Sequence, residues 1–342
     1  MSTANALPSR VPVIDMCGTA LDAASWRASL TGFARGGAAG YLHTFGANLT
    51  RKAGVPHEDY AAALARSADE AIDLLMSTGK LDVTPQSYER ELAEEGIAYQ
   101  VLLGTHTPLA DGGTMNDRTI ALARALPDKL EAWAGLDIAN MPSALHELDR
   151  CVAAGAKGAS IIPFQGPVDP DSRACHQLYG RLGESHLPIW IHTGMNFASG
   201  RPLHASTWGH IDRIAIAHPR LRIVVGHGGW PWIAEGMAVL QRHRNVYLEF
   251  SAHRAKHMAM PGSGWEPLFL YGRGVVRNQI MFGSAAFVQS TTVRELADEV
   301  RALSLSENVI RAWLHDNAAR MLGRPVAAVA TKTPAASAAA RA

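Results

Sequence analysis

The sequence predicts an α/β protein built as a single closed (β/α)8 barrel, a TIM barrel. Three observations carry that prediction. Eight short β-branched or apolar runs recur along the chain, they alternate with amphipathic helical stretches, and most of them are hydrophobic throughout rather than at every second residue. Continuous apolar runs mark strands buried on both faces of a parallel sheet, and strand–helix alternation supplies the crossovers such a sheet needs. At 342 residues the chain is long for one domain, but barrels of about 250 residues or more routinely fold as one.

The strand candidates are residues 11–17, 97–104, 130–138, 158–164, 187–192, 222–227, 245–251 and 279–284. Among the helical stretches, residues 143–154 place Leu145, Leu148 and Val152 on one face and stop at Gly155, a residue suited to end a helix. Residues 87–95 carry charge on their outer side and stop at Gly96, and residues 232–243 precede the seventh strand. Residues 307–322 form a closing helix before Gly323 and Pro325. A doubly wound open sheet is the competing architecture, but no GxGxxG follows the first strand, so nothing supports a dinucleotide site.

Two segments fall outside the eightfold pattern. Residues 20–86 make a long excursion after the first strand, with a helical run around 60–76. Loops at that end of a barrel build the active site, so the excursion is expected to be a lid or an interface element. Residues 325–342 are rich in Ala, Pro, Thr and Ser without periodicity and are expected to be disordered, leaving 1–324 as the barrel.

Composition narrows the partners. The chain is 47% hydrophobic and 18% charged, with 32 Lys and Arg against 31 Asp and Glu, a formal net charge of +1. No global positive field draws nucleic acid to it, so a small-molecule substrate or a protein partner is expected. Cys17, Cys151 and Cys175 lie far apart with no CxxC spacing, which argues for a reducing compartment. The first ten residues lack the apolar core of a signal peptide, and no apolar run nears the ~18 residues that span a bilayer. A cytoplasmic protein without membrane contact is the expectation.

In such a barrel the chemistry sits at the C-terminal ends of the strands. Those positions hold Asp15, Met16, Cys17, Gly18 and Thr19 at the first strand, Thr105 and His106 after the second, and Asp137 and Asn140 at the third. Phe164 and Gln165 follow at the fourth, His192-Thr193-Gly194 at the fifth and His227-Gly228-Gly229 at the sixth. Glu249, Ser251 and His253 stand at the seventh, and Ser284-Ala285-Ala286 at the eighth.

The runs PIWIHTG at 188–194, IVVGHGG at 223–229, NVYL at 245–248, FGS at 282–284 and DNAAR at 316–320 give the chain a recognisable pattern, together with GAKG at 155–158. It resembles the amidohydrolase-related family, in the branch that contains aminocarboxymuconate-semialdehyde decarboxylase, and does so in order from residue 11 to 323. The resemblance implies a divalent metal held by an HxH pair at the first strand, a histidine at the fifth and an aspartate at the eighth. A further histidine at the sixth acts as base or second ligand. Such a metal polarises a carbonyl or lowers the pKa of a bound water to about 7. Carried onto this sequence, the HxH positions are Cys17 and Thr19, the fifth- and sixth-strand histidines are His192 and His227, and the aspartate position is Ala285. Alanine neither ligates nor transfers a proton, and threonine is a poor zinc ligand.

Two readings remain open. In the first, Cys17, His192 and His227 hold Zn²⁺ tetrahedrally, with His253 or water as the fourth ligand. The chain is then a divergent hydrolase or decarboxylase of a small carboxylated or amide substrate, with His227 as general base or His253 replacing the lost group. In the second, Cys17 is a small buried hydrophobe and the two histidines are hydrogen-bonded inside a plugged barrel. The chain is then a companion subunit for a paralogue with an intact metal centre, in a hydrolase, a decarboxylase or an oxygenase that uses iron or manganese on this fold. Losing both the HxH pair and the aspartate favours the companion, with a homo-oligomer as the other possible assembly. A ligand-binding sensor is a third class, though no output domain is visible.

Lesser candidates surround these. His253 and His257 share i, i+4 spacing without the glutamate of HExxH and are expected near the mouth. His43 and His106 follow apolar stretches and are candidate pocket linings. Trp230-Pro231-Trp232 is a candidate aromatic wall, and the Gly-rich stretch 33–41 a candidate hinge.

Overall fold

The computed structural model describes residues 11–35, 38–289 and 291–326. All eight expected strands are present and parallel: β1 (Val13–Gly18), β2 (Ile97–Leu103), β3 (Leu130–Leu136), β4 (Gly158–Ile161), β5 (Ile189–His192), β6 (Ile223–Gly226), β7 (Val246–Glu249) and β8 (Ile280–Met281). They pair in sequence order from β1 to β8. Closure runs through backbone bonds from Met16 N–H to Phe282 O at 3.0 Å and from Ala285 N–H to Cys17 O at 2.9 Å. Several strands are shorter than the apolar runs suggest. At β8 the reason is visible, since Ser284 leaves the ladder to donate its N–H to the Asp15 carboxylate at 2.8 Å.

Glycines let large rings fill the barrel. A Cβ at Gly158 would stand 2.7 Å from the Trp133 ring, and one at Gly226 would stand 2.1 Å from the Trp190 ring. Both indoles are buried with Ile14, Met16, Val101, Val224 and Met281. Glycine is required at these two positions because another chain group takes the space of a side chain. A second apolar layer, including Leu148, Leu178, Ile211 and Leu240, packs the helices onto the outer face of the strands.

The helices begin and end where their capping residues dictate. Thr84 accepts from Ser87 N–H to start the helix Pro85–Glu95, Asn140 accepts from Ser143 N–H to start Met141–Ala154, and Gly155 ends the latter in the left-handed region. Such N-caps contribute about 1 kcal/mol each. The closing helix is continuous from Glu307 to Leu322 but carries one π-helical turn, Ala312–Asp316.

The excursion after β1 is helical: Ala23–Arg35, Gly40–Thr44, Gly46–Ala53, His57–Arg66 and Ala68–Met76. The run expected around 60–76 is two helices, because Ser67 is extended and caps the second by accepting from Glu70 N–H at 3.1 Å. The segment has its own apolar core of Trp26, Leu30, Leu49, Tyr60, Ile72 and Leu75. Gly36 and Gly37 of the candidate hinge, the first ten residues and the tail beyond Val326 lie outside the described residues. Among the described residues no helix is long and apolar enough to cross a membrane.

Candidate active site

Two carboxylates, Asp15 and Glu249, lie fully buried at the mouth end, and among the described residues neither forms an ion pair. Asp15, on β1, accepts from Ser284 N–H (2.8 Å), Ser284 Oγ–H (2.6 Å), Gln100 Nε2–H (2.7 Å) and Cys17 N–H (3.1 Å). Glu249, ending β7, accepts from Trp190 Nε1–H (3.0 Å), His227 N–H (3.0 Å), Ser251 Oγ–H (2.8 Å) and Ser251 N–H (2.7 Å). Burial raises the pKa of both, and these donors offset part of the rise. Two neutral donors converge on each Asp15 oxygen, which fills its lone-pair directions, whereas three crowd Glu249 Oε1 and only Ser251 N–H reaches Oε2 among the described residues.

The Ser251 hydroxyl fixes the state of His227. Its proton is spent on Glu249, so Ser251 Oγ must accept from the His227 Nδ1–H that lies 2.8 Å away. The Nε2 lone pair is therefore free. Burial pushes the His227 imidazole down to about 4, so it is neutral at physiological pH. Its ring meets that of His192 with centroids 4.7 Å apart, and His192 in turn abuts Phe164 at 4.7 Å. Burial first, then the neighbouring His227, hold His192 well below its ordinary range.

The other expected residues are placed differently. Cys17 is buried at the end of β1, where desolvation, then Glu249 and Asp15, raise its thiol well above the usual range, and the Ser251 hydroxyl is its polar neighbour. His253 is held between the indoles of Trp265 (4.9 Å) and Trp230 (5.8 Å), with burial pushing it down to about 3. Ala285 is buried with φ +43°, in the left-handed region. His227 (+59°) and Ala252 (+63°) share that conformation, so β6, β7 and β8 are each followed within four residues by a strained non-glycine residue. Alanine gains nothing from the left-handed region, whereas aspartate and asparagine tolerate it through local hydrogen bonds. The backbone at 285 thus keeps a shape suited to the aspartate that the family pattern puts there.

Of the lesser candidates, His43 and His257 are exposed, and His106 lies 3.8 Å from Asp137 at the rim. Trp230 donates its N–H to Ser263 O at 3.2 Å, and Trp232 packs on His204. The roles of Asp15, Glu249, Ser251 and Trp190 escape sequence reasoning. The signal was a lone acidic residue in each of two otherwise apolar strand runs. The excursion reaches over this end: Phe45 packs on Phe197 (5.8 Å) and Phe287 (6.3 Å), Phe197 N–H donates to Tyr41 Oη at 3.3 Å, and Asn48 donates to Phe287 O at 3.1 Å.

Among the described residues, no group of three or more His, Cys, Asp or Glu side chains is placed to hold a metal ion. His192 and His227 are brought together, but Cys17 does not complete a ligand set with them, and the Asp15 and Glu249 carboxylates are committed to their own donors. Among the described residues, the side chains gathered here do not fit a metal.

The family model described as amidohydrolase matches residues 52–324. The chain belongs to the amidohydrolase family. Gamma-resorcylate decarboxylase of Rhizobium radiobacter is 27% identical over 152 residues, 36% of this chain and 45% of that enzyme, so the match spans under half of the relative's length. An uncharacterised TIM-barrel protein of Bordetella bronchiseptica, Bb4693, superposes with a TM-score of 0.65 at 24% identity, covering 91% of this chain and 99% of that one. A 5-carboxyvanillate decarboxylase of Novosphingobium aromaticivorans, solved with manganese, gives 0.53 at 17% identity, covering 73% of this chain and 83% of its own. That neighbour was solved with manganese, and among the described residues of this chain no comparable group of ligands is found.

Proposed function

We propose that this chain is a companion subunit, without metal chemistry of its own, for a paralogous amidohydrolase-family barrel that keeps the histidine pair and the aspartate. One observation carries the reading: at the strand ends where a metal would be gripped stand Thr19, Cys17 with its thiol pKa raised by burial, and Ala285, while Asp15 is saturated by four neutral donors and Glu249 is held by four more, three of them on Oε1. Releasing either carboxylate to a metal would leave buried donors unpaired, at about 1–3 kcal/mol each. The helical excursion then serves as a lid or an assembly surface. A homo-oligomer is the other assembly to look for.

The test is co-expression with such a paralogue, followed by mass determination in solution and turnover assays with small aromatic carboxylic acids. A hetero-oligomer more active than the paralogue alone supports the reading. Turnover by this chain alone, abolished by His227→Gln, overturns it.

The free Nε2 of His227 favours a second reading, in which Cys17, His192 and His227 gather around zinc and support hydrolysis or decarboxylation. It requires Cys17 to ionise beside two carboxylates that oppose its charge. Measuring bound zinc in the parent and in Cys17→Ser decides it, since equal stoichiometry in the two removes Cys17 as a ligand.

A further inference from the structure

At the opposite end of the barrel, where the strands begin, lies a cavity of about 460 Å³ lined by Arg124, Lys157, Arg222 and Arg324, with Glu131 and Tyr99. We infer that this cavity is a binding site for a small multivalent anion, a phosphorylated or polycarboxylated molecule, separate from the mouth.

The charge balance carries the inference. Four permanent cations face one carboxylate, and that carboxylate is already engaged: Glu131 accepts from Trp133 Nε1–H at 2.7 Å and from Tyr99 Oη–H at 3.1 Å. None of the four cations forms an ion pair among the described residues, though the charges of Arg324 and Arg222 act on the Glu131 carboxylate from farther off. Arg222 donates to the carbonyls of Met321 and His186, and Arg324 lies over the Tyr99 ring, 3.5 Å from its centroid. Some arginines elsewhere are ion-paired, such as Arg150 with Asp117 and Glu147, Arg181 with Asp149 and Arg254 with Glu299.

Positions 1–10, 36–37, 290 and 327–342 of the sequence contain no Asp or Glu side chain. Like charges gathered in a concave site with a low-dielectric wall raise the local concentration of counter-ions. Guanidinium forks match the oxygen geometry of carboxylates and phosphates. The volume lies in the range of small-molecule sites, about 300–1,000 Å³.

The place in the fold gives such a ligand a consequence. Lys157 immediately precedes β4, Arg222 immediately precedes β6, Arg124 closes the helix Met115–Ala125, and Arg324 follows the last helix. An anion held by all four ties the chain's end to strand entries across the barrel, and a ligand that binds the folded state alone stabilises it.

Calorimetric titration of the full chain with pyrophosphate, and separately with citrate, tests this, with sodium chloride holding the ionic strength constant. Saturable binding of at least one is expected. It weakens about tenfold or more in Arg124→Gln/Lys157→Met, a tenfold loss being about 1.4 kcal/mol. Neither side chain makes a described hydrogen bond, and the substitution leaves the Lys157 backbone bond to Ala132 O in place, so the variant should keep the parent's circular dichroism, and Lys157→Met alone should fall between the two. Preference for pyrophosphate marks a phosphorylated ligand, and preference for citrate a polycarboxylate. No saturable binding of either anion, or binding undiminished in the double variant, overturns the inference.

Discussion

Acidification probes the hydrogen-bonded chain through Glu249, Ser251 and His227 most directly. His227 sits at the mouth with its pKa pushed from 6.5 to about 4 by burial. The unfolded chain takes up a proton there near 6.5, and the folded chain refuses it until about 4. The folded state therefore binds fewer protons in that window, and stability falls as the pH drops through it. Each pH-unit difference corresponds to about 1.36 kcal/mol. At about pH 4.5 the full effect is roughly 2.5 kcal/mol, and partial solvent screening of this half-buried ring reduces it to about 2 kcal/mol. His227→Asn isolates the effect. Asparagine tolerates the left-handed backbone at this position and keeps an N–H for Ser251, yet does not titrate. Urea unfolding of parent and variant between about pH 7.5 and 4.5 removes the contribution of the shared histidines. The stability difference should move by about 2 kcal/mol in the variant's favour as the pH falls. A difference that stays constant over that range refutes the placement of a neutral, desolvated imidazole here.

Four further expectations follow from the structure. Ser251→Ala removes the hydroxyl that links Glu249 to His227, so it should cost about 1–3 kcal/mol in urea unfolding and release the Nδ1–H tautomer, visible as changed imidazole nitrogen shifts by NMR. Asp15→Asn puts an amide N–H against donors that all point inward; a loss of about 2 kcal/mol or more is expected, and an unchanged urea midpoint would contradict the four bonds assigned to it. Gly135→Ala would force a Cβ within 2.0 Å of the Gly104 carbonyl oxygen, so the soluble yield should collapse. Gly32→Ala, in the exposed face of the helix Ala23–Arg35 with nothing within 4 Å, should instead raise stability by up to about 1 kcal/mol.

The order of eight parallel strands was legible because it depends on local chemistry: apolar runs between polar, capped helices. The ends of β7 and β8 were not, since Ser251 and Ser284 leave the ladder to serve carboxylates on their own and a distant strand. Ser67 shows the same limit within the excursion, where one capping hydroxyl divides a helical pattern into two.

By itself the sequence determined the barrel and the long excursion after the first strand, and it set Cys17, Thr19 and Ala285 at the positions where the family resemblance implies metal ligands. Tertiary structure alone decided what the remaining polar groups do. Periodicity reports which face of an element is buried, but hydrogen-bond partners come from strands far apart in the chain, as with Asp15 and Ser284 or Trp190 and Glu249. Buried carboxylates must find donors wherever the fold brings them, and that pairing exists only once the barrel has closed.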